Sequence, residues 1–348
     1  MKRCIQLARQ GAISVAPNPM VGAVLVHEGR IIGEGFHEVY GSAHAEVNCI
    51  SSVDHRDEHL ITSSTLYVSL EPCSHFGKTP PCSDLIISRK IPRVVVGCSD
   101  PFHAVRGKGI SKMKDAGIEV VQGILEKECI HLNRRFFTFH EQHRPYVVLK
   151  WAQTANKKIG NYGNARLMIS NEYTQRLVHK WRSEEMGIMV GTNTAGMDNP
   201  QLTNRHWYGK NPVRVVIDPH LRLPSSLHLL DGLTRTIIFN LRKHGDEGMI
   251  SYYQVGEDAD FVHQVMNGLY QMNIMSVMVE GGAKWIQSLI DDNSWDEARV
   301  ITNTKLTVAE GVPSPELSSG NLVEQTVIGN DEVGFYVRRE TADVRRQT

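Results

Sequence analysis

One histidine and two cysteines constrain the fold of this chain more than any other feature of its sequence. His44, Cys73 and Cys82 lie in three separate segments, with eight residues between the two cysteines. Together they can bind a zinc ion and leave its fourth position open, which distinguishes a catalytic zinc from a structural one. We therefore expect a fold that brings these three segments to one point.

The predicted secondary structure supports this arrangement because each ligand lies near the end of an element. A helix predicted over Ala45–Ser52 begins directly after the histidine, and a strand predicted over Leu66–Leu70 ends shortly before the first cysteine. A second predicted helix, Pro81–Arg89, carries the other cysteine in its opening turn, with proline at an early position. Helix N-termini lower the pKa of thiols, so Cys82 is expected to be thiolate-prone before zinc binds.

A glutamate completes the H-x-E…P-C…C pattern that is typical of zinc hydrolytic deaminases. Zinc lowers the pKa of bound water from about 15.7 to about 7, so hydroxide is available at neutral pH to attack a ring carbon that bears an amino group. Glu46 is the predicted catalytic residue, which takes a proton from water and passes it to the ring and the leaving amine. A structural zinc with His75 as its fourth ligand is the main alternative. The remaining cysteines are interpreted as buried thiols: Cys4, Cys49, Cys98 and Cys129.

The insert between the two zinc-site cysteines narrows the choice of deaminase. Most zinc deaminases have two residues at this place, whereas this chain has eight, including His75, Lys78 and a Thr-Pro-Pro run. The chain resembles the deaminase domain of the bifunctional riboflavin-biosynthesis family, in which a pyrimidine deaminase is fused to a reductase. Further matching segments are Ala16–Gly22, Gly33–His37 and Asp100-Pro101.

This resemblance implies a phosphorylated pyrimidine substrate, 2,5-diamino-6-(5-phosphoribosylamino)pyrimidin-4-one, which is deaminated to 5-amino-6-(5-phosphoribosylamino)uracil. Amides and imidazoles offer the directional hydrogen bonds that a neutral ring needs, and a lysine supplies a point charge for the phosphate. Phe102 departs from the family, because an asparagine usually follows Asp-Pro; His103 is the candidate replacement. The residues implied to contact the substrate are Asn18, His37, His75, Lys78 and Asp100.

Length and charge exclude several classes of protein. The chain has 348 residues, and its 38 basic side chains balance 38 acidic ones, so the formal net charge is zero. Zero net charge argues against broad nucleic-acid binding, which rests on a basic face. No apolar run approaches the roughly 20 residues of a membrane span, so no membrane partner is expected. Cysteines that act as zinc ligands and buried thiols indicate a reducing, cytoplasmic location.

Strand and helix patterns alternate along both halves, which predicts two layered α/β domains. A polar, basic stretch precedes a new strand at Tyr146–Trp151, so we expect a first domain at 1–143, a second at 144–340 and a polar tail at 341–348. The resemblance implies a cytidine-deaminase-like three-layer α/β/α domain followed by a dihydrofolate-reductase-like α/β domain. Further predicted elements of the first half are strands Val21–His27, Arg93–Cys98 and Glu119–Gln122 and helices Lys2–Ala12, Gly107–Ala116 and Glu126–His140.

The second half is similar to the reductase of the same family, which uses NADPH to reduce the ribosyl group to ribityl. Glu280–Ala283 follows a predicted strand and opens a helix, and glycines there let backbone amides approach a phosphate. No G-x-G-x-x-G is present, so a Rossmann domain is not indicated. By resemblance, the NADPH contacts are Ala152, Thr192, Asn199, Gly281 and Gly282. The substrate contacts of the reductase are Arg182, Leu202, Arg205 and Glu280, and Glu280 is also the candidate proton donor.

Several departures concern the reductase half. Asn156 and Lys157 replace an acid and a glycine of the family, and a lysine would crowd a place that needs glycine for close approach or positive φ. Met168 replaces a usual tryptophan, and Asn199 stands where an aspartate is common. The first alternative is therefore a deaminase with a degenerate, structural reductase domain.

Two further alternatives come from other classes: a nucleic-acid-editing zinc deaminase, and a non-catalytic binding protein stabilised by zinc. The resemblance favours the bifunctional enzyme, with one zinc ion per chain, NADPH, and assembly as a homodimer or homotetramer.

Overall fold

The computed structural model describes residues 1–76, 80–102, 105–162, 167–257 and 260–339. The chain divides into two compact units, Met1–His143 and a second unit from Arg144 onward. No helix in the described ranges combines the length and the apolar character that crossing a membrane requires.

The described part of the first unit is built on a five-stranded mixed sheet. Its strands are β1 (Gly22–His27), β2 (Arg30–Phe36), β3 (Thr65–Leu70), β4 (Arg93–Cys98) and β5 (Glu119–Val121). They lie in the order β2-β1-β3-β4-β5. β1 is antiparallel to β2 and β3, whereas β3, β4 and β5 run parallel. Its helices are α1 (Lys2–Ala8), α2 (Ala45–Ser51), α3 (Cys82–Ser88), α4 (Lys108–Asp115), α5 (Glu126–Leu132) and α6 (Arg134–Gln142).

Both faces of this sheet are covered. Ala23 and Leu25 of β1 pack into one apolar core with residues of α2 and α3. Val24, which lies between them, faces the other side and packs with Cys4 and Leu7 of α1. Successive side chains of a strand point to opposite faces, so this alternation produces three layers. The predicted three-layer α/β/α domain is confirmed.

The predicted helix Glu126–His140 is wrong in one respect, because two helices occupy this stretch. α5 ends before Asn133, which has φ −103° and ψ 23°, and α6 begins after it. The buried Asn133 side chain accepts a hydrogen bond from the Met20 backbone N–H (2.8 Å) and donates one to the Met20 carbonyl (2.9 Å). This long-range pair has no signature in the local helical pattern.

The first unit differs from the predicted elements at two other places. The predicted helix Lys2–Ala12 ends as an α-helix at Ala8 and continues as a short 3₁₀ turn. Strand β2 was not predicted, because glycines weaken a strand pattern. In the structure a Cβ on Gly35 would lie 2.3 Å from the Cys49 backbone nitrogen, so glycine is what allows α2 to pack onto β2.

The second unit contains a larger sheet. Its strands are β6 (Tyr146–Thr154), β7 (Lys158–Asn161), β8 (Gly187–Gly191), β9 (Val213–Ile217), β10 (Thr236–Asn240), β11 (Gly245–Glu247), β12 (Ile250–Gln254), β13 (Ser276–Gly281), β14 (Glu297–Asn303), β15 (Gly311–Pro313), β16 (Gly320–Ile328) and β17 (Asp331–Arg338). Its helices are α7 (Glu172–Glu184), α8 (Thr192–Asp198), α9 (Phe261–Gln271) and α10 (Ala283–Asp291). Across the described ranges, ten strands form one sheet in the order β11-β12-β10-β9-β8-β13-β6-β14-β17-β16, and β7 pairs with β15.

The strands from β12 to β14 in this order run parallel to one another. Strand β11 is antiparallel to β12, β17 is antiparallel to β14, and β16 is antiparallel to β17. Buried parallel strands read as continuous apolar runs, and such runs predict strands at Gly187–Val190, Val213–Asp218, Thr236–Asn240 and Ser276–Val279, where β8, β9, β10 and β13 lie. Strands β11, β12 and β16 are mostly exposed or half-buried and were missed. The α/β class of this half is confirmed.

Candidate active sites

The three predicted zinc ligands converge in the first unit. His44 is the N-cap residue of α2, Cys73 follows β3, and Cys82 is the first residue of α3. The His44 Nδ1 atom lies 3.3 Å from the Cys82 sulfur and 3.5 Å from the Cys73 sulfur. Tetrahedral zinc with ordinary Zn–N and Zn–S bonds places nitrogen and sulfur ligands about 3.5 Å apart. The residues present therefore fit one zinc ion.

The structural-zinc alternative needs a fourth protein ligand. Among the described residues, the ligand atoms that lie within 4.8 Å of one another at this point come from His44, Cys73 and Cys82. His75 is exposed and does not belong to this group. Its position gives no support to a closed, four-ligand site.

Glu46 lies beside the ligands, in the first turn of α2, and is 3% exposed. Burial, together with the nearby charge of Cys73, raises the pKa of its carboxyl to about 7. A carboxyl group with a pKa near the working pH can both accept and return a proton. The geometry therefore suits the proton transfer that the sequence assigned to Glu46.

The structure reverses the expectation that Cys82 is the cysteine with the lowered pKa. Cys73 accepts hydrogen bonds from the Cys82 thiol and from the Cys82 backbone N–H (3.3 Å), and its pKa falls to about 4. The pKa of Cys82 is raised, because its thiol donates to Cys73 and is buried near Glu46. The N-terminus of α3 thus stabilises the thiolate of Cys73 rather than that of its own first residue.

Two predicted substrate residues adjoin the zinc ligands. The His37 ring lies edge-on to the His44 ring, with 5.4 Å between centroids. His37 Nδ1 donates to the Ala43 carbonyl (3.0 Å), so Nε2 accepts from the Asn18 amide nitrogen (3.0 Å). Burial lowers the pKa of His37, which favours the neutral ring. The pair presents an ordered, uncharged group of polar atoms.

A third predicted substrate residue, Asp100, follows β4 and is buried. Burial raises the pKa of its carboxyl to about 6; a hydrogen bond from the Phe102 backbone N–H (2.8 Å) opposes this, and the charges of Glu71 and Cys73 add to it. The Phe102 ring lies against His140, with 5.0 Å between centroids. Predicted residue Lys78 and the candidate replacement His103 lie outside the described residues.

Glycines hold two turns together in the second unit. Strands β8 and β13 are parallel neighbours, so the turns after them meet at one edge of the sheet. A Cβ on Gly281 would lie 2.6 Å from the Thr194 side chain, and Gly282 has φ +84° with Gly191 close by. The predicted NADPH residues Gly281 and Gly282 are thereby brought beside Thr192, the first residue of α8.

The other two predicted NADPH residues lie on nearby elements. Ala152 is in β6, which is the other neighbour of β13. Asn199 caps the C-terminus of α8 with φ +40°, and its side-chain oxygen accepts a hydrogen bond from the His228 N–H (2.8 Å). The Thr192 hydroxyl donates to the Ile217 carbonyl (2.6 Å). The Thr192 side chain therefore joins the start of α8 to the end of β9, and the Asn199 side chain joins its C-terminus to the backbone at His228.

The predicted substrate residues of the reductase form one network. The Arg182 guanidinium makes two hydrogen bonds to the Glu280 carboxylate, at 2.7 and 2.6 Å, and a third to the Thr203 carbonyl at 3.1 Å. The Arg205 backbone N–H donates to His179 Nδ1 (3.1 Å). Leu202, in the same segment, is buried with φ +51°. Helix α7 therefore holds the segment that carries Arg205.

This network argues against Glu280 as the proton donor. Burial by itself would raise the pKa of Glu280, but the Arg182 charge and hydrogen bonds outweigh burial and bring the pKa down to about 2. The carboxylate is ionised at neutral pH and both of its oxygens accept bonds from Arg182. His179 was missed by the sequence analysis; its pKa falls to about 4, chiefly through burial and then the charge of Arg182.

The substituted turn of the reductase half contains strained backbone. Lys157 has φ +57°, in the left-handed region, and its N–H closes a turn onto the Thr154 carbonyl (3.0 Å). Asn156 anchors the turn by donating to the Val308 carbonyl (2.7 Å). Met168, at the position of the missing tryptophan, is exposed. Lysine thus occupies a conformation that glycine adopts without strain.

We expect Lys157→Gly to stabilise the second unit by about 0.5–1 kcal/mol, because the strain relieved exceeds the entropy that glycine adds to the unfolded chain. All five tryptophans lie after residue 143, so urea unfolding followed by tryptophan fluorescence reports this unit alone. Lys158→Gly, one residue later in strand β7, is the matched control and should destabilise. A loss of stability in Lys157→Gly would contradict the strain argument.

Comparisons with known proteins match both units. The family profile of the RibD C-terminal domain covers residues 145–321, and that of the cytidine and deoxycytidylate deaminase zinc-binding region covers residues 1–98. The riboflavin biosynthesis protein RibD of Aquifex aeolicus is 36% identical over 354 residues, which span 97% of each chain. The chain belongs to the RibD family. RibD of Actinobacillus pleuropneumoniae is 37% identical and is matched by 90% of this chain and over 85% of its own length.

RibD structures share the whole fold. The diaminohydroxyphosphoribosylaminopyrimidine deaminase/5-amino-6-(5-phosphoribosylamino)uracil reductase of Thermotoga maritima has a TM-score of 0.87 at 35% identity, with 97% of each chain covered. Acinetobacter baumannii RibD has the same TM-score at 27% identity, covering 97% of this chain and 98% of its own. The chain is accordingly a bifunctional riboflavin-biosynthesis deaminase and reductase whose cofactors are zinc and NADPH.

Proposed function

We propose that this RibD-family chain deaminates 2,5-diamino-6-(5-phosphoribosylamino)pyrimidin-4-one and then reduces the ribosyl group of the product to ribityl. The observation that carries the first step is the convergence of His44, Cys73 and Cys82 around one point, with Glu46 beside it. The substrate is inferred from the similar proteins, among them the Thermotoga maritima diaminohydroxyphosphoribosylaminopyrimidine deaminase/5-amino-6-(5-phosphoribosylamino)uracil reductase.

In the deamination, one C–N bond breaks and one C–O bond forms. Bound zinc supplies the Lewis acidity that makes water nucleophilic at neutral pH. Glu46 accepts a proton as water adds to the ring carbon and returns protons to the ring and to the departing amine, so that ammonia leaves. Asn18, His37 and Asp100 are proposed to hold the ring by hydrogen bonds, and His75 and Lys78 are proposed to reach the rest of the substrate.

Bound NADPH would supply a hydride for C1 of the ribose. The C1–O4 bond would break and O4 would take a proton from water, which opens the ring to the ribityl chain. Ala152, Thr192, Asn199 and the Gly281-Gly282 turn are proposed to contact the cofactor. Arg205 is proposed to hold the substrate phosphate by paired hydrogen bonds. Arg182, Leu202 and Glu280 shape the segment around it.

The proposal is tested by measuring ammonia release and NADPH oxidation separately on one zinc-analysed preparation. We expect both activities with about one zinc per chain. Removal of the metal with a chelator should abolish ammonia release and leave NADPH oxidation on the deaminated intermediate intact. Ammonia release at an undiminished rate from a metal-free chain would contradict the first step.

A second candidate keeps the deaminase and assigns the second unit a structural role. It is favoured by the strained Lys157 turn and by exposed Met168, both of which depart from the family. The same preparation distinguishes the two candidates. NADPH oxidation with the deaminated intermediate supports the bifunctional enzyme, whereas ammonia release without NADPH oxidation supports the structural role.

We further propose a cytoplasmic homo-oligomer. All six cysteines lie in described residues and are free, which fits a reducing compartment. Strand β16 ends the large sheet and exposes Leu322, Val323 and Val327. Exposed apolar edge strands are ready templates for pairing with another chain. The molar mass of the purified chain by light scattering tests this part of the proposal.

A further inference from the structure

Glu71 is a buried carboxylate that neither proposed reaction uses. It lies between β3 and the zinc-ligand segment, directly before Pro72-Cys73, and is 4% exposed. Its Oε2 atom accepts hydrogen bonds from the backbone N–H groups of Asp100 (3.2 Å) and Gly107 (3.0 Å). Its Oε1 atom accepts from Gly109 (3.1 Å) and Ile110 (3.3 Å). One carboxylate thus binds four described backbone amides of a single segment.

These four amides belong to the connection between β4 and the first turn of α4. All four hydrogen bonds converge on one side chain, whose burial protects them from water. A second observation points the same way: a Cβ on Gly109 would lie 2.0 Å from the Pro72 carbonyl oxygen. The two chain segments are therefore in direct backbone contact as well as joined through Glu71.

The segment that Glu71 holds begins with Asp100. Strands β3 and β4 are parallel neighbours, so the segment that carries Cys73 and the one that begins with Asp100 leave the sheet at the same edge. Glu71 binds the backbone N–H of Asp100 itself and lies two residues before Cys73. Glu71 therefore links the position of Asp100 to that of Cys73, a predicted zinc ligand.

We propose that Glu71 is a positioning residue of the deaminase, which fixes Asp100 relative to Cys73 so that Asp100 can bind the pyrimidine ring. The inference rests on the proposed function, because it assigns Asp100 to the ring. Glu71 acts through the backbone of the segment that it binds. The sequence offered one signal for it, its place directly before the Pro-Cys of the zinc motif.

The test is a double-mutant cycle on the full-length, zinc-loaded chain with Glu71→Gln, Asp100→Asn and the double variant. Glutamine keeps the size of the side chain but turns an NH₂ group toward amides that need an acceptor. We expect Glu71→Gln to raise the KM for the pyrimidine about 10- to 100-fold, the size of effect that a small misplacement produces, with kcat and zinc content retained. Asp100→Asn should raise the same KM.

The inference predicts that the KM effects of the two substitutions are not additive, because residues that act together do not contribute independently. The double variant should be no worse than the more affected single variant. Full additivity of the two KM effects would overturn the inference, and so would an unchanged KM in Asp100→Asn. An unchanged KM in Asp100→Asn would also remove Asp100 from the proposed ring contacts. Neither result would affect the two proposed reactions, which are tested by ammonia release and NADPH oxidation with the wild-type chain.

Ser69→Ala is the matched control for simple destabilisation. Ser69 lies in strand β3, two residues before Glu71, and is also buried. Its hydroxyl accepts a hydrogen bond from the Gly22 N–H (3.1 Å) and not from the Asp100 segment. It should lower stability and leave the KM unchanged. Amide hydrogen exchange supplies a readout without substrate: Glu71→Gln should lose protection at Asp100, Gly107, Gly109 and Ile110. Unchanged protection there would overturn the inference.

Discussion

Replacing Glu46 with glutamine is expected to lower deaminase turnover about 10²- to 10⁴-fold, the usual contribution of a positioned general acid–base group. Glutamine preserves the shape of the buried side chain but cannot take a proton from water or return it to the departing amine. Zinc should remain bound, because Glu46 is not among the three convergent ligands. The measurement is ammonia release per zinc-loaded chain.

Two controls isolate this effect. Glu34→Gln changes a carboxylate of the same unit that pairs with Arg3 at the surface (2.7 Å), and it should leave ammonia release unaffected. The rate of NADPH oxidation by the Glu46→Gln chain should equal that of the wild type, which shows that the second unit is folded, and retained zinc shows the same for the first unit. Normal deamination by Glu46→Gln would remove the assignment of this residue.

The second large effect is expected from Glu280→Gln, which should destabilise the second unit by about 3–5 kcal/mol. Removing one partner of a buried ion pair leaves the other charge uncompensated, and the Arg182 and Glu280 side chains are only 12% and 6% exposed. Reductase activity should fall as well, because Arg182 also holds the Thr203 carbonyl in the segment that leads to Arg205. Urea unfolding followed by tryptophan fluorescence measures the stability change.

Glu247→Gln is the matched control for the ion pair, since it removes the partner of Lys243 in an exposed pair of the same unit. Surface pairs contribute little, so the unfolding midpoint should hardly move. A double variant, Arg182→Met with Glu280→Leu, should recover part of the lost stability, because it removes the uncompensated charge. Equal unfolding midpoints for Glu280→Gln and Glu247→Gln would show that the buried ion pair contributes no more to stability than the exposed one.

The sequence predicted the convergence of His44, Cys73 and Cys82 because these residues lie at element boundaries that have local signals. A proline before Cys82 and an apolar run ending at Leu70 mark those boundaries in the chain. The left-handed backbone at Lys157 was also foreseeable, because a lysine stands where the resembled family has glycine. Each of these signals lies within a few residues of the feature that it predicts.

The protonation states of the site residues were harder to predict from the sequence. Cys82 was expected to be the thiolate-prone cysteine, but Cys73 has the lowered pKa, because it receives both the thiol and the backbone N–H of Cys82. Glu280 was a candidate proton donor until Arg182 was found on both of its oxygens. The pKa of a buried group depends on its partners in space, which sequence spacing does not specify.

The sequence by itself determined the α/β class, the pattern of three candidate zinc ligands with a glutamate, and the resemblance to a two-domain family. Only the tertiary structure decided that Asn133 divides a helix by binding Met20, that Arg182 pairs with Glu280 across 98 residues, and that Glu71 gathers four amides of another segment. The physical reason is that periodicity and capping are local, whereas a buried polar group must find its partner wherever the fold brings one.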